Sequence, residues 1–358
     1  MHTKKNLSVM LLIVITIATV LFWPKSPVPT EQLTANERKV MDEKMGNYTP
    51  RCIGRYLIDL PEDFVFKGGL TMINDKQIET QRMYLPAFEQ RIRLREKELQ
   101  ELKPIHTINS PFLKKIYKLP AGMNGVIFEY ASSEVAPDAF RNLEGHVYDN
   151  GVAFKLIIDA VNADGERYAE ERNNEPDVYY NNVDRKVHSM ISFLGRLQGR
   201  EADVIPKSKG LCIPNGIIEG TSDEKEEVSF SYQSSANSNV YVNIETNNFL
   251  QEDHSMLERS SDISSVLSRE KMRTIMKGYK KINGLEAEEW LTVGLGDDVL
   301  SGHNFILNIN EKHGDYKSPF LRVNMMHGPL PDQHLSEKEI HYLWQKIIET
   351  TRIRSNAI

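Results

Sequence analysis

Cys52-Ile53-Gly54-Arg55-Tyr56-Leu57-Ile58-Asp59-Leu60-Pro61 and Gly210-Leu211-Cys212-Ile213-Pro214-Asn215-Gly216-Ile217-Ile218 are the two stretches on which the fold turns. Each is strand-like, and each carries a cysteine ahead of its apolar residues. Downstream of each, the same order of segments appears. After Cys52 come Phe64-Val65-Phe66; after Cys212 come residues 228–232 and 240–244, whose alternation marks half-buried strands.

A long charged helical stretch is expected next in each copy. In the first, Leu85, Phe88, Ile92, Leu99 and Leu102 line one side of a helix, with Pro86 harmless in its first turn. The second is expected over 252–276, with Met256, Ile263, Val266, Leu267 and Met272 as its apolar side. Strands then return at 112–113, 125–130 and 152–158, and at 286–291, 304–309 and 320–325. Each copy closes on a helix. One covers 177–197, with Val183, Val187, Ile191 and Leu194 on a face; the other covers 336–352, where Ser336-Glu337-Lys338-Glu339 is a capping box.

This pattern predicts two successive, similar α+β modules, each a mainly antiparallel sheet covered by helices. The first spans 51–199 and the second 211–354, joined by a polar linker at 200–210. Residues 24–50 read as a tether with one short helix at 34–45, behind the proline-punctuated start at Pro24, Pro27 and Pro29.

Ahead of the tether, Lys4 and Lys5 precede the almost wholly apolar stretch 7–23. The pattern is that of an export signal or an uncleaved anchor. Seventeen residues reach roughly 25 Å against a hydrocarbon core of about 30 Å, and no small-residue cleavage site closes the stretch, so the anchor is the reading preferred. The lysines then stay inside and the rest of the chain lies in the periplasm, tied to the inner membrane. With 40% hydrophobic and 26% charged residues and a formal charge of −6, the chain lacks the clustered basic residues of a nucleic-acid binder. Cys52 and Cys212 can form one disulfide or sit apart as small buried side chains, and their spacing does not decide between these.

The search for chemistry returns no phosphate loop, dinucleotide fingerprint, nucleophile elbow or helical zinc motif, so no catalytic, cofactor or metal residue is assigned. Two surface loops remain as partner-binding candidates. The acidic run Glu219, Asp223, Glu224, Glu226 and Glu227 would speed encounter with a basic partner. The loop 294–303, with Asp297 and Asp298 between flexible glycines, suits a contact that must adapt.

The stretches around Cys52 and Cys212 give the chain its resemblance, after about residue 48, to the immunity proteins that protect bacteria from type VI secretion phospholipase effectors of the fourth lipase class. The resemblance implies a periplasmic protein with no cofactor that clamps its cognate effector between two domains and keeps the lipase lid closed, a population shift set by differential affinity. Two other readings stand beside it: an envelope hydrolase using Asp297, Asp298, Ser301 or His303, and a structural or sensory subunit of an envelope complex.

Overall fold

The computed structural model describes residues 32–220, 223–294, 302–328 and 335–358. The apolar stretch 7–23 and the residues Asp297, Asp298 and Ser301 lie outside them. Among the described residues no helix is long and apolar enough to cross a membrane.

Helix α1 (Ala35–Met45) is followed by strands β1 (Tyr48–Ile53), β2 (Tyr56–Pro61), β3 (Phe64–Ile73) and β4 (Lys76–Arg82), helix α2 (Leu85–Glu101), and strands β5 (Leu113–Lys118), β6 (Asn124–Ala131), β7 (Phe140–Asp149) and β8 (Val152–Val161). Short helix α3 (Ala169–Asn174) and helix α4 (Val183–Leu194) lead to strand β9 (Leu197–Gly199), which ends the first half. The second half holds β10 (Gly210–Ile213), β11 (Gly216–Glu219), β12 (Glu226–Ser234), β13 (Val240–Asn247), α5 (Ser260–Arg269), β14 (Met272–Ile282), β15 (Leu285–Gly294), β16 (His303–Ile309), β17 (Phe320–His327), α6 (Glu337–Ile348) and β18 (Arg352–Ile353).

The two modules repeat, but their sheets are not separate. A 12-stranded sheet runs β14-β15-β16-β17-β13-β12-β3-β4-β8-β7-β6-β5. Read outward from the β3–β12 seam, each half has the same order: first strand, second, then the last four in reverse. The seam pairs the first strand of one half with the first of the other, antiparallel, from Phe64↔Ser234 to Ile73↔Glu226.

The exchange goes further. Strand β9, located after the first half's last helix, pairs with β11 of the second half (Gly199↔Gly216). Strand β18, located after the second half's last helix, pairs with β2 of the first (Ile353↔Tyr56). Each half therefore completes the other's hairpin. The next residues match too: Arg200 N–H donates to Asn215 O at 2.9 Å and Arg354 N–H to Arg55 O at 2.8 Å.

One bond breaks this symmetry for a covalent reason. Gly54 N–H donates to Cys212 O at 2.9 Å, but its counterpart Pro214 has no N–H. The Arg200 guanidinium takes over, donating to Cys52 O at 3.1 Å. Gly54 also needs its glycine: φ is +58°, and the Thr246 methyl occupies the space a Cβ would fill. Across this junction the Cys52 and Cys212 sulfurs are 2.00 Å apart, a disulfide between equivalent positions of the two halves.

Both hairpins and helices α1, α4 and α6 pack one face of the sheet into a continuous core that includes Ile53, Ile58, Met190, Leu194, Phe230, Val242, Phe305, Val323, Trp344 and Ile347. Several expectations change here. The tether reading fails from residue 33 onward, since Leu33 and Met41 are buried in this core and the Asp42 carboxylate accepts from Tyr342 OH at 2.9 Å. The linker is tied down as well, with Arg200 donating to the carbonyls of Glu201, Ala202 and Val204 and Arg354 to those of Pro206, Ser208 and Gly210. The second long helix shrinks to Ser260–Arg269, and Met272 begins an edge strand instead. Serines at 260, 261, 264, 265 and 268 compete for backbone hydrogen bonds and weaken that helix. Asn283 and Gly284, at φ +48° and +86°, make the tight turn that pairs β14 with β15.

Candidate functional site

The other face of the sheet is covered only in part, and strand alternation decides what it shows. In β12, Val228, Phe230 and Tyr232 are buried in the core while Glu227, Ser229, Ser231 and Gln233 alternate with them toward the open side. Register carries this open face across the seam and outward: Met72↔Glu227, Ser229↔Glu245, Glu245↔Arg322, and Asn324↔Ile306. At its middle is a shallow depression of about 550 Å³ lined by Gly68, Ser229, Ser231, Asn243, Arg322 and Asn324, among others.

Its floor is polar but not highly charged. Ser231 donates to the Asn243 amide oxygen at 2.5 Å, Arg322 Nε to Asn308 Oδ1 at 3.0 Å, and Gln233 Nε2 to Tyr241 OH at 2.7 Å. These lateral bonds fix the side chains while leaving further lone pairs for a partner. At one end Glu227 lies near Glu245 and Asp75; partial burial, then those two carboxylates, push its carboxyl above the ordinary range.

Two ridges flank this floor. On the first half α2 sits over β6 and β7, with Leu99 in a cluster with Phe112, Val126, Phe128 and Tyr130. Beneath it the fully buried Glu144 accepts from Arg95 at 2.7 and 3.0 Å, from Tyr130 OH at 2.9 Å and meets His146 Nε2 at 2.8 Å. Burial opposes ionisation of Glu144, but the bonds from His146 and Arg95 prevail and hold its pKa at about 2. On the second half residues 255–269 make the ridge. Glu288 accepts from Ser255 Oγ at 2.6 Å and Leu257 N–H at 2.8 Å, and Glu311 from Met256 N–H at 2.7 Å. Each ridge helix carries one exposed large apolar side chain, Leu94 at 60% on α2 and Val266 at 47% on α5.

The sequence-predicted acidic run does not gather as one surface. Glu226 is corrected outright: it is buried and bound bidentately to Arg55, with Nη2–Oε1 at 2.5 Å and Nε–Oε2 at 3.1 Å. Alternation with Val228 and Phe230 explains this, because Glu226 falls on the core side of β12. Burial pushes its carboxyl up despite the Arg55 charge. Glu224 pairs with Arg196 at 2.9 Å, Glu219 is half-buried at the end of β11, and Asp223 is exposed. Of the run, only Glu227 lies on the open face. His303 stands at the core edge, its ring beside that of His327. The floor residues Ser229, Ser231, Asn243 and Asn324 carried no sequence motif, although their strict alternation with buried apolar neighbours was readable in β12 and β13.

The Tle cognate immunity protein 4 N-terminal domain matches residues 49–200, and the Tle cognate immunity protein 4 C-terminal domain matches residues 204–356. The chain belongs to this immunity protein family. It is accordingly an immunity protein and not an enzyme. Among solved structures, the apo immunity protein TplEi of the type VI secretion system from Pseudomonas aeruginosa is 21% identical, with a TM-score of 0.70 over 88% of this chain and 99% of that one. A chain of the Tle4–Tli4 complex is 20% identical, with a TM-score of 0.69 over 86% of this chain and 97% of that one. TplEi complexed with an "L" peptide gives a TM-score of 0.64 at 20% identity, over 86% and 98% of the two chains. These likenesses concern the fold. Among curated proteins none matches the chain.

Proposed function

We propose that this immunity protein binds a secreted phospholipase effector of the Tle class across the open sheet face, gripping it between the α2 ridge and the 255–269 ridge, and so protects the cell that makes it. The observation that carries this reading is the open face itself. It crosses the seam between the halves without interruption, its polar side chains are fixed by lateral bonds, and a ridge bounds it on each side. A partner seated there touches both halves at once, which multiplies contact without demanding any movement. Glu227 and Glu245 on the floor, with Asp297 and Asp298 of the 294–303 loop, are the acidic groups that would favour a basic rim on the effector.

The place of action is proposed as the periplasm, with residues 7–23 holding the chain at the inner membrane. The disulfide fits an oxidising compartment.

A soluble fragment from residue 32 onward is expected to form a stoichiometric complex with the effector encoded beside it and to abolish its phospholipase activity. Absence of a complex at micromolar concentration, with the fragment folded, overturns the reading. Reporter fusions placed after residue 31 test the location: activity of a periplasm-dependent reporter is expected, and activity of a cytoplasm-dependent one is not.

A further inference from the structure

We propose that Arg322, on the floor of the open sheet face, anchors a carboxylate side chain, an aspartate or glutamate of the bound effector; the inference rests on the reading of that face as the effector-binding surface. Arg322 belongs to β17 and lines the depression of about 550 Å³ with Ser229, Ser231, Asn243 and Asn324. Its Nε already donates to Asn308 Oδ1 at 3.0 Å, and its guanidinium carbon lies 5.4 Å from the centroid of the buried Phe320 ring. The side chain is held in place before any partner arrives. Among the described residues, neither Nη1 nor Nη2 has a hydrogen-bond or ion-pair partner.

The chain's own carboxylates leave this fork alone. Glu245 stands opposite Arg322 in the β13–β17 register, yet no ion pair joins the two. Glu245 lies instead close enough to Glu227 to help push that carboxyl up. Elsewhere the fold closes such forks within the chain: Arg55 grips Glu226 through Nε and Nη2, and Arg95 grips Glu144 through the same two nitrogens. At Arg322 only Nε is engaged, and by a neutral amide.

The chemistry around it selects the occupant. Two parallel N–H groups of a planar guanidinium match the two oxygens of a carboxylate. Ser231 donates to the Asn243 amide oxygen at 2.5 Å, which leaves the Asn243 N–H groups as further donors for an occupant that only accepts. A single negative charge balances Arg322, whereas a doubly charged phosphate would also meet Glu245 on the same lining. The effector must then present an acidic residue to Arg322 beside basic ones facing Glu227 and Glu245. That order of charges fixes the register in which it docks and rejects a partner carrying the reverse order.

The test uses the complex of this protein with the effector encoded beside it. Arg322→Gln, which keeps a polar side chain and removes the charged fork, should weaken the complex by at least about 10-fold, mostly through faster dissociation, and leave the thermal midpoint of the free protein unchanged. A second measurement reads the chemistry directly. In the complex of the Arg322→Lys variant, a water-soluble carbodiimide should couple the new amine at position 322, with loss of water, to an aspartate or glutamate of the effector, located by mass spectrometry. Unchanged affinity of Arg322→Gln overturns the proposal, as does coupling at position 322 only within the chain, to Glu245. Should Arg322→Gln fail to fold, the coupling in the lysine variant decides. Failure of the unaltered protein to bind the effector removes the reading of the face and this inference together; binding that Leu94→Asp weakens and Arg322→Gln does not removes the inference alone.

Discussion

The two ridges are built on the same plan and held down by different physics. Helix α2 buries Phe88 and Leu99 and is pinned by a bidentate ion pair to the fully buried Glu144. Helix α5 buries no side chain and is attached mainly through the residues before it, where Ser255, Met256 and Leu257 bond to Glu288 and Glu311. A duplicated unit has thus kept its topology while one copy became a firmly anchored ridge and the other a looser, serine-rich one. For a clamp the division makes sense: a preorganised side supplies affinity with little ordering cost, and an adaptable side accommodates the partner's surface.

The largest expected effect tests whether the halves can be compared as separate units at all. The disulfide closes a loop with a sequence separation of 160. Loop-closure entropy gives it about 5 kcal/mol at 25 °C. Replacing both cysteines by alanine should lower the urea midpoint accordingly. Because β9 and β18 cross between halves, unfolding should remain one transition; two resolved transitions would show that the halves fold independently.

Next in size, Leu99→Ala removes a fully buried side chain under α2 and is expected to cost about 2–5 kcal/mol. The matching change on the other ridge, Leu267→Ala, touches a half-buried residue and should cost less than about 1 kcal/mol. Similar losses at both positions in chemical denaturation would erase the asymmetry between the ridges.

Acid sharpens the comparison further. Glu144 has its pKa held at about 2, below an unfolded value of about 4.3, so its contribution is complete above the unfolded value and is lost as pH falls toward 2. Hydrogen exchange at pH 3 should therefore show α2 losing protection relative to pH 6. Glu144→Gln should be destabilised at pH 6 and should flatten that acid response. An unchanged pH profile in the variant would mean that Glu144 does not hold the ridge.

How much was legible in the sequence divides along the same line, between local and distant physics. The helices α1, α2, α4 and α6 are marked by spacing and by capping boxes at Thr34 and Ser336, both formed as local rules require. The repeat shows in the shared order of elements. Strand β7 lacks a local signal because Glu144, Gly145 and His146 interrupt its apolar run, and Arg95, Tyr130, Met190 and Leu194, distant along the chain, make those residues fit. Strand β14 was hidden by its charges; Arg273, Lys277, Lys280 and Lys281 suit an edge that must not pair with another chain. The β3–β12 seam joins residues whose neighbours carry no local mark of each other. Of the candidate site, the alternation of Ser229, Ser231 and Asn243 was readable, but that their face stays uncovered depends on where α2 and residues 255–269 land. Glu226 shows the reverse case: the alternation with Val228 and Phe230 already placed it inward.

The smallest effect on stability bears most directly on the clamp. Leu94 on α2 and Val266 on α5 are 60% and 47% exposed, so aspartate at either position should change stability by no more than about 0.5 kcal/mol. Binding is another matter. If the effector is gripped from both sides, each substitution buries a charge against the partner and should weaken the complex by at least about 10-fold, or 1.4 kcal/mol, mostly through faster dissociation. Surface plasmon resonance with the cognate effector separates the possibilities. Loss at both positions means that both ridges grip; loss at Leu94 alone means that the rigid ridge holds the effector without help from the second, and that the serine-rich copy stays on the molecule for its part in the fold.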